Sequence, residues 1–266
     1  MRIPLALLGL TLAAAPVLAQ PKPIDTSVQQ VFDRRSKGFF AECTITLELP
    51  KIKSSEVEAS RVVVQKATDD TGLDLVNREK QEQQTDLDPN FRGSMMRDED
   101  PPATVSVTLK NPARTATKLT EVRGEIELFM PAKDPNSIAE IPKFLTFTGK
   151  PLSHKALKAN GIEITFMSAA QIEAENKKRE ESGGFTVNPE GELAARLKDP
   201  NKRIQSVAYV DPAGDVKRVM TRDDDGVELF VYWGDKPQPD WKLRVNMKTT
   251  KNVIKHTFAL KDVALP

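Results

Sequence analysis

Between Phe39 and Leu49 the chain repeats with a period of two. Cys43, Ile45, Leu47 and Leu49 alternate with polar residues, the pattern of a strand with one face in a core and the other in water. The same period returns at Val62 and Val64, and at Val105, Val107 and Leu109. It recurs at Val122, Ile126 and Leu128, at Leu145 and Phe147, and at Ile162, Ile164 and Phe166. Short strands separated by turn residues build antiparallel sandwiches more readily than parallel α/β sheets.

A second block of strands follows, over 192–198, 204–210, 215–221, 227–233, Leu243 to Met247, and a last one carrying Phe258, Leu260 and Val263. Asp211-Pro-Ala-Gly214 reads as a turn, and Asp225-Gly226 as a tight hairpin needing positive φ. VSVTLKNP before KLTEVRGEIELFMP weakly echoes RVNMKTTKN before KHTFALKDVALP, each a strand, a polar turn and a second strand ending at proline.

Three segments break the alternation. Residues 20–38 read as a linker with a short helix, because Val28, Val31 and Phe32 have helical spacing. Residues 78–103, rich in Gln, Asp, Glu and Arg, read as a surface excursion without order of its own. Residues 168–184 read as a connecting helix. Ser168 and Gln171 form a capping box at its start, Ala, Glu, Gln and Lys fill it, and Gly183-Gly184 ends it. About two further helical turns are expected within Leu152 to Ala159, stopped at Asn160-Gly161.

Residues 1–19 have the form of a cleavable export signal: Arg2, an apolar run from Leu5 to Leu12, and Val17-Leu18-Ala19 before the cut. The run is short of the roughly 20 residues a spanning helix needs, and Pro4 and Pro16 interrupt it. The expected location is the periplasm or the cell exterior. Cleavage removes one cation, Arg2, and leaves Lys+Arg equal in number to the 38 Asp+Glu. A neutral, mixed-sign surface argues against nucleic acid or anionic lipid as a partner. No later segment is apolar for long enough to span a bilayer, and the single cysteine, Cys43, cannot form an internal disulfide. Its phase with Ile45 and Leu47 makes it a buried small hydrophobe.

Chemistry leaves few marks. His154 and His256, the only histidines, lie in unlike contexts with no ligand spacing around them. There is no G-x-S-x-G elbow, nucleotide loop or H-E-x-x-H. The acidic turns offer one candidate cofactor, a calcium ion held by Asp211, Asp215, Asp223 and Asp225. The simpler account is that Asp and Gly are what tight turns use. Tyr232, Trp233 and Trp241 lie close together, and Tyr232 with Trp241 would form a ligand-binding pair if both rings faced out. If Trp233 is core, Tyr232 is outward, and Trp241 otherwise plugs one end of a sandwich.

The alternating strands and end loops resemble immunoglobulin-like and fibronectin-like sandwiches, although the immunoglobulin Cys–Trp–Cys arrangement is absent. The reading is therefore mainly β, with two immunoglobulin-like or fibronectin-like antiparallel β-sandwich domains, 39–167 and 185–266, joined by a short α-helix. The function expected is non-catalytic: an exported binding or scaffold module, with no resident cofactor, whose partner is a protein or an envelope glycan. The sheet edges and end loops are its contact surfaces. The alternatives are a carbohydrate-binding protein using Tyr232 and Trp241, with or without calcium, and a hydrolase with a dispersed site around His154 or His256.

Overall fold

The computed structural model describes residues 21–33, 42–89, 100–182, 186–188, 192–224, 227–231 and 237–266. The expected export signal over 1–19, Asp225-Gly226, Tyr232 and Trp233 lie outside the described residues, as do 90–99 of the expected excursion. The protein is mainly β, built from several antiparallel sheets.

Two sheets share the first core. One has the order β2-β3-β6, from Ser27–Asp33, Glu42–Lys53 and Pro102–Lys110. The other has the order β1-β15-β7-β4-β5, from Lys22–Pro23, Val253–Ala264, Lys118–Phe129, Ala59–Asp69 and Asp88–Pro89. Cys43, Ile45, Leu47 and Leu49 of β3 are fully buried and meet Val122, Ile126 and Leu128 of β7 and Phe258 and Leu260 of β15. The period-two alternation thus produces the core face expected of it, Cys43 included.

A seven-stranded sheet forms the second unit, in the order β8-β14-β11-β12-β13-β10-β9. Its strands are Ile138–Pro142, Lys242–Met247, Ile204–Val210, Val216–Asp224, Val227–Val231, Glu192–Lys198 and Glu163–Phe166. All seven contribute to one core around Phe144, Tyr209 and Phe230, so the sheet curls around it.

The connectivity departs from two consecutive domains. The chain leaves the first pair of sheets after β7, builds the seven-stranded sheet, and returns as β15. There β15 pairs antiparallel with β7 along almost its full length, from Val253↔Phe129 to Ala264↔Lys118. The second strands of the two echoed segments are therefore partners of each other, while their first strands, β6 and β14, lie in different sheets. A buried polar knot closes the crossing point. Asn252 Nδ2 donates to Ser137 Oγ at 2.8 Å and to the Met247 carbonyl at 2.9 Å, and Asn252 Oδ1 accepts from the Thr249 N–H at 2.7 Å. Thr249 Oγ1 donates to Asp134 Oδ2 at 2.9 Å.

Four local expectations change. Residues 27–33 are the edge strand β2, not a helix, because pairing with β3 satisfies their backbone and lays Val31 against the core. Leu145 and Phe147 lie in a 3-10 turn rather than a strand. Lys143 before it takes φ 51° and turns the chain after β8. The helix α3, Ala169–Ser182, has its capping box, with the Ser168 N–H donating to Gln171 Oε1 at 2.8 Å. Yet the strands that flank it, β9 and β10, pair with each other, so α3 is an excursion within one sheet. The excursion over 78–103 is partly ordered: Arg78–Gln83 is the helix α1, β5 pairs with β4, and β6 already begins at Pro102. The short helix α2 forms at Lys155–Ala159, and Gly161 leaves it at φ 70°. The Asp211 turn also forms, the Gly214 N–H donating to the Asp211 carbonyl at 3.0 Å.

Candidate functional site: a groove between two strand edges

A groove of about 600 Å³ opens where the two sheets of the first unit part, between β4 and β6. On one side β6 is an edge strand, paired among the described residues only with β3. The Lys110 N–H donates away from β3, to the Leu75 carbonyl at 2.9 Å. Backbone groups of alternate residues point the same way along a strand. The N–H and C=O groups of Thr104, Ser106 and Thr108 therefore face the groove, and no strand among the described residues pairs with them.

On the other side is β4. Beyond the short pairing of Ser60 with Asp88, its free edge is capped by a side chain, the Val64 N–H donating to Gln81 Oε1 at 2.7 Å. Val62 lies between these points and lines the groove. The loop after β4 bridges both edges, since the Leu75 N–H donates to the Ala67 carbonyl at 2.9 Å while the Leu75 carbonyl receives Lys110.

The helix α1 roofs the groove without burying a residue of its own. Polar contacts alone hold it there. Lys80 pairs with Glu42 of β3 at 2.7 Å, and Arg61 of β4 donates to the Thr85 carbonyl at 2.8 Å. Asp69 fixes the preceding loop: Oδ1 accepts from the N–H groups of Thr71 and Leu73 and from the Thr71 hydroxyl, and Oδ2 accepts from the Ala113 N–H. Burial raises the Asp69 pKa, but these donors outweigh it and hold it below the usual value. The lining is mostly neutral: hydroxyls from Ser60, Thr104, Ser106 and Thr108, and amides from Asn77, Gln81, Gln83 and Gln84, with Lys80 and Asp88 the ionisable groups. Such a lining offers paired donors and acceptors along an exposed strand and no nucleophile–base pair.

The residues singled out in the sequence lie elsewhere. Trp241 is half-buried against Tyr209 of the second core, ring centroids 6.4 Å apart, and Tyr209 stacks on Phe144 at 5.5 Å. On β13 the observed core residue is Phe230. Asp211 and Asp215 share one turn, but Lys217 sits between them, 3.3 and 3.5 Å from their carboxylates. Asp223 belongs to β12, whose side chains there are not described, and Asp225 lies outside the described residues. Among the described residues no three His, Cys, Asp or Glu side chains come together at metal-binding distance. His154 caps α2, its Nδ1 accepting from the Ala156 N–H at 3.2 Å, and burial lowers its pKa with help from Lys155. His256 stands mid-strand between Lys22 of β1 and Ile126 of β7. No hydrogen bond among the described residues joins either ring to a carboxylate or hydroxyl.

The groove itself was not visible from sequence. Its only local signal was the alternation Thr104-Ser106-Thr108, which marks a polar face but not an unpaired edge. Among the described residues no helix is long and apolar enough to cross a membrane. No family model, curated protein or solved structure matches the chain.

Proposed function

We propose that this is an exported, non-catalytic binding module that captures an extended peptide segment by adding it as a strand to the free edge of β6. The observation that carries the reading is the backbone of Thr104, Ser106 and Thr108, which no strand among the described residues pairs with and which faces a groove of about 600 Å³. Unpaired edges recruit strands, and proteins that do not use them blunt them with charge, proline or cover. Between Ala103 and Leu109 β6 carries neither charge nor proline. Backbone hydrogen bonds would supply affinity, and the hydroxyl and amide lining would favour polar, uncharged side chains.

The test is a matched pair of variants against peptides selected on the wild-type protein from a displayed random library. Ser106→Pro removes one edge N–H and obstructs a docked strand, and it leaves the β3 ladder intact because that N–H points away from it. Ser106→Ala keeps the backbone. With each edge hydrogen bond worth about 1 kcal/mol net, loss of one or two lowers affinity by roughly 5- to 30-fold in Ser106→Pro and little in Ser106→Ala. Equal affinity in both variants would overturn the reading, as would selective binding of envelope glycans in place of peptides.

A further inference from the structure

The roof of the β6 groove is a strap anchored at both ends. Val76 at its start is buried in the first core, and Leu87 at its far end is buried against Ala59 and Phe129. Between these anchors residues 77–86 bury nothing: each is half-buried or exposed. Apolar burial thus fixes the ends and contributes little in between. Under that condition a segment opens at low cost while the sheets beside it stay folded.

The strap lies across the groove and not along one side of it. Gln81 Oε1 accepts from the Val64 N–H of β4 at 2.7 Å, and Lys80 Nζ donates to Glu42 of β3 at 2.7 Å. In the order β2-β3-β6, β3 lies behind β6 as seen from the groove. Lys80 therefore passes over the end of β6, where Glu42 is paired in register with Lys110. The other ties are also polar. Arg61 donates to the Thr85 carbonyl at 2.8 Å, Gln84 Nε2 donates to the Asp88 carboxylate, and Asp86 pairs with Lys248 at 3.6 Å. The Lys80 and Glu42 side chains are 46 and 39 % exposed, and ion pairs so open to water contribute little and weaken with salt.

From this arrangement we infer that residues 77–86 are a gate on the β6 groove. The strap pivots at Val76 and Leu87, releases Val64 and Glu42 to admit an extended segment, and closes over it. The inference rests on strand capture at β6 and adds how the segment enters. With α1 joined to both β3 and β4, a segment reaches the backbone of Thr104, Ser106 and Thr108 only by threading beneath the helix. With the strap lifted it docks from the side. The association rate then scales with the fraction of molecules whose strap is open.

The test combines amide exchange of the free mature protein with the binding kinetics of a library-selected peptide whose affinity depends on Ser106. In the free protein the Gln81 and Gln84 amides, bonded to the Asn77 and Lys80 carbonyls, exchange faster than the ladder amides of β7. Glu42 lies outside the groove lining, so Glu42→Gln loosens the strap without touching the peptide. It raises the association rate about two- to fivefold, the range of an exposed ion pair, and high salt does the same to the wild type but not to this variant. Gln81→Ala raises the rate about fivefold through loss of one hydrogen bond. Dissociation accelerates alongside, because the strap also closes over the bound segment. Ser106-dependent binding with an equal or lower association rate in both variants would overturn the gate and leave strand capture standing. Strap amides as protected as those of β7 would do the same. If no peptide binds through Ser106, strand capture falls and the gate falls with it.

Discussion

Asn252→Ala tests whether the crossing between the two units is held by its polar knot. The side chain is fully buried and makes three hydrogen bonds, to Ser137, Met247 and Thr249. Truncation leaves the Met247 carbonyl and the Thr249 N–H without those partners in a dry site. Ser137 loses less, because its hydroxyl still donates to the Asp134 carbonyl at 2.6 Å. Two orphaned groups at about 1–3 kcal/mol each give a loss of about 2–6 kcal/mol, before any term for the small void. For a chain of this length 1 kcal/mol corresponds to about 2–4 °C, so the melting temperature falls by about 10 °C. Asn252→Asp is the control of sign: it can still accept from Thr249 but cannot donate to Met247, and it buries a charge, so it is at least as damaging at neutral pH. Urea unfolding followed by circular dichroism measures both. A loss below 1 kcal/mol for Asn252→Ala would refute the claim that these bonds hold the crossing.

Gly124→Ala places a Cβ 2.1 Å from the Val63 carbonyl oxygen and 3.0 Å from Val64 Cα, backbone atoms in the middle of a sheet. Overpacking of this kind costs about 1–3 kcal/mol or more, so the variant is destabilised without any change of polarity, read by the same urea titration. Asp69 and His154 both titrate below their usual values in the folded protein, so the unfolded chain binds more protons and stability falls as pH falls. The His154 contribution is complete above about pH 6.5 and declines below it as its cap on α2 is protonated; that of Asp69 is lost below its ordinary value near 3.8. Asp69→Asn and His154→Gln should each flatten the part of the stability–pH curve belonging to that residue, and an unchanged curve would exclude the assignment. Cys43, fully buried in β3, should resist thiol reagents in the native state and react at once in denaturant; rapid native labelling would place it outside the core.

Local patterns carried local structure well. Cys43 to Leu49 alternate because one face is core, and Ser168 with Gln171 makes the capping bonds their spacing offers. What local pattern does not hold is pairing at a distance. Val28, Val31 and Phe32 fit a helix or a strand equally, and the decision is made by β3, which supplies the partners for their backbone. The strand expected around Phe258, Leu260 and Val263 forms, as β15, but nothing within it names β7, more than a hundred residues earlier, as the partner. With that pairing unknown, the chain reads as two domains in succession. The groove was hidden for the same reason. Thr104, Ser106 and Thr108 look like any solvent face until the sheet order makes β6 an edge, and α1 is too polar to be read as packing on anything.

The same connectivity sets where the two units touch. The second unit enters after Phe129 and leaves before Val253, which are paired neighbours, so it is tethered at one end of the β7–β15 ladder. Beyond the crossing point, polar contacts between the units among the described residues come through two short pieces of chain. Glu58, just before β4, meets Ser206 and Asn246, while Asp86 and Leu87, just before β5, meet Lys248 and Gln205. Leu87 lies four residues beyond the end of α1, so the segment that follows the roof of the β6 groove is bonded to the second unit. Gln205→Ala removes the contact at Leu87 and leaves Glu58 in place. It should therefore loosen α1, seen as faster amide exchange at residues 81–84, with β11 unchanged; equal protection in the variant and the wild type would show that the contacts with Glu42, Arg61 and Val64 hold α1 without it.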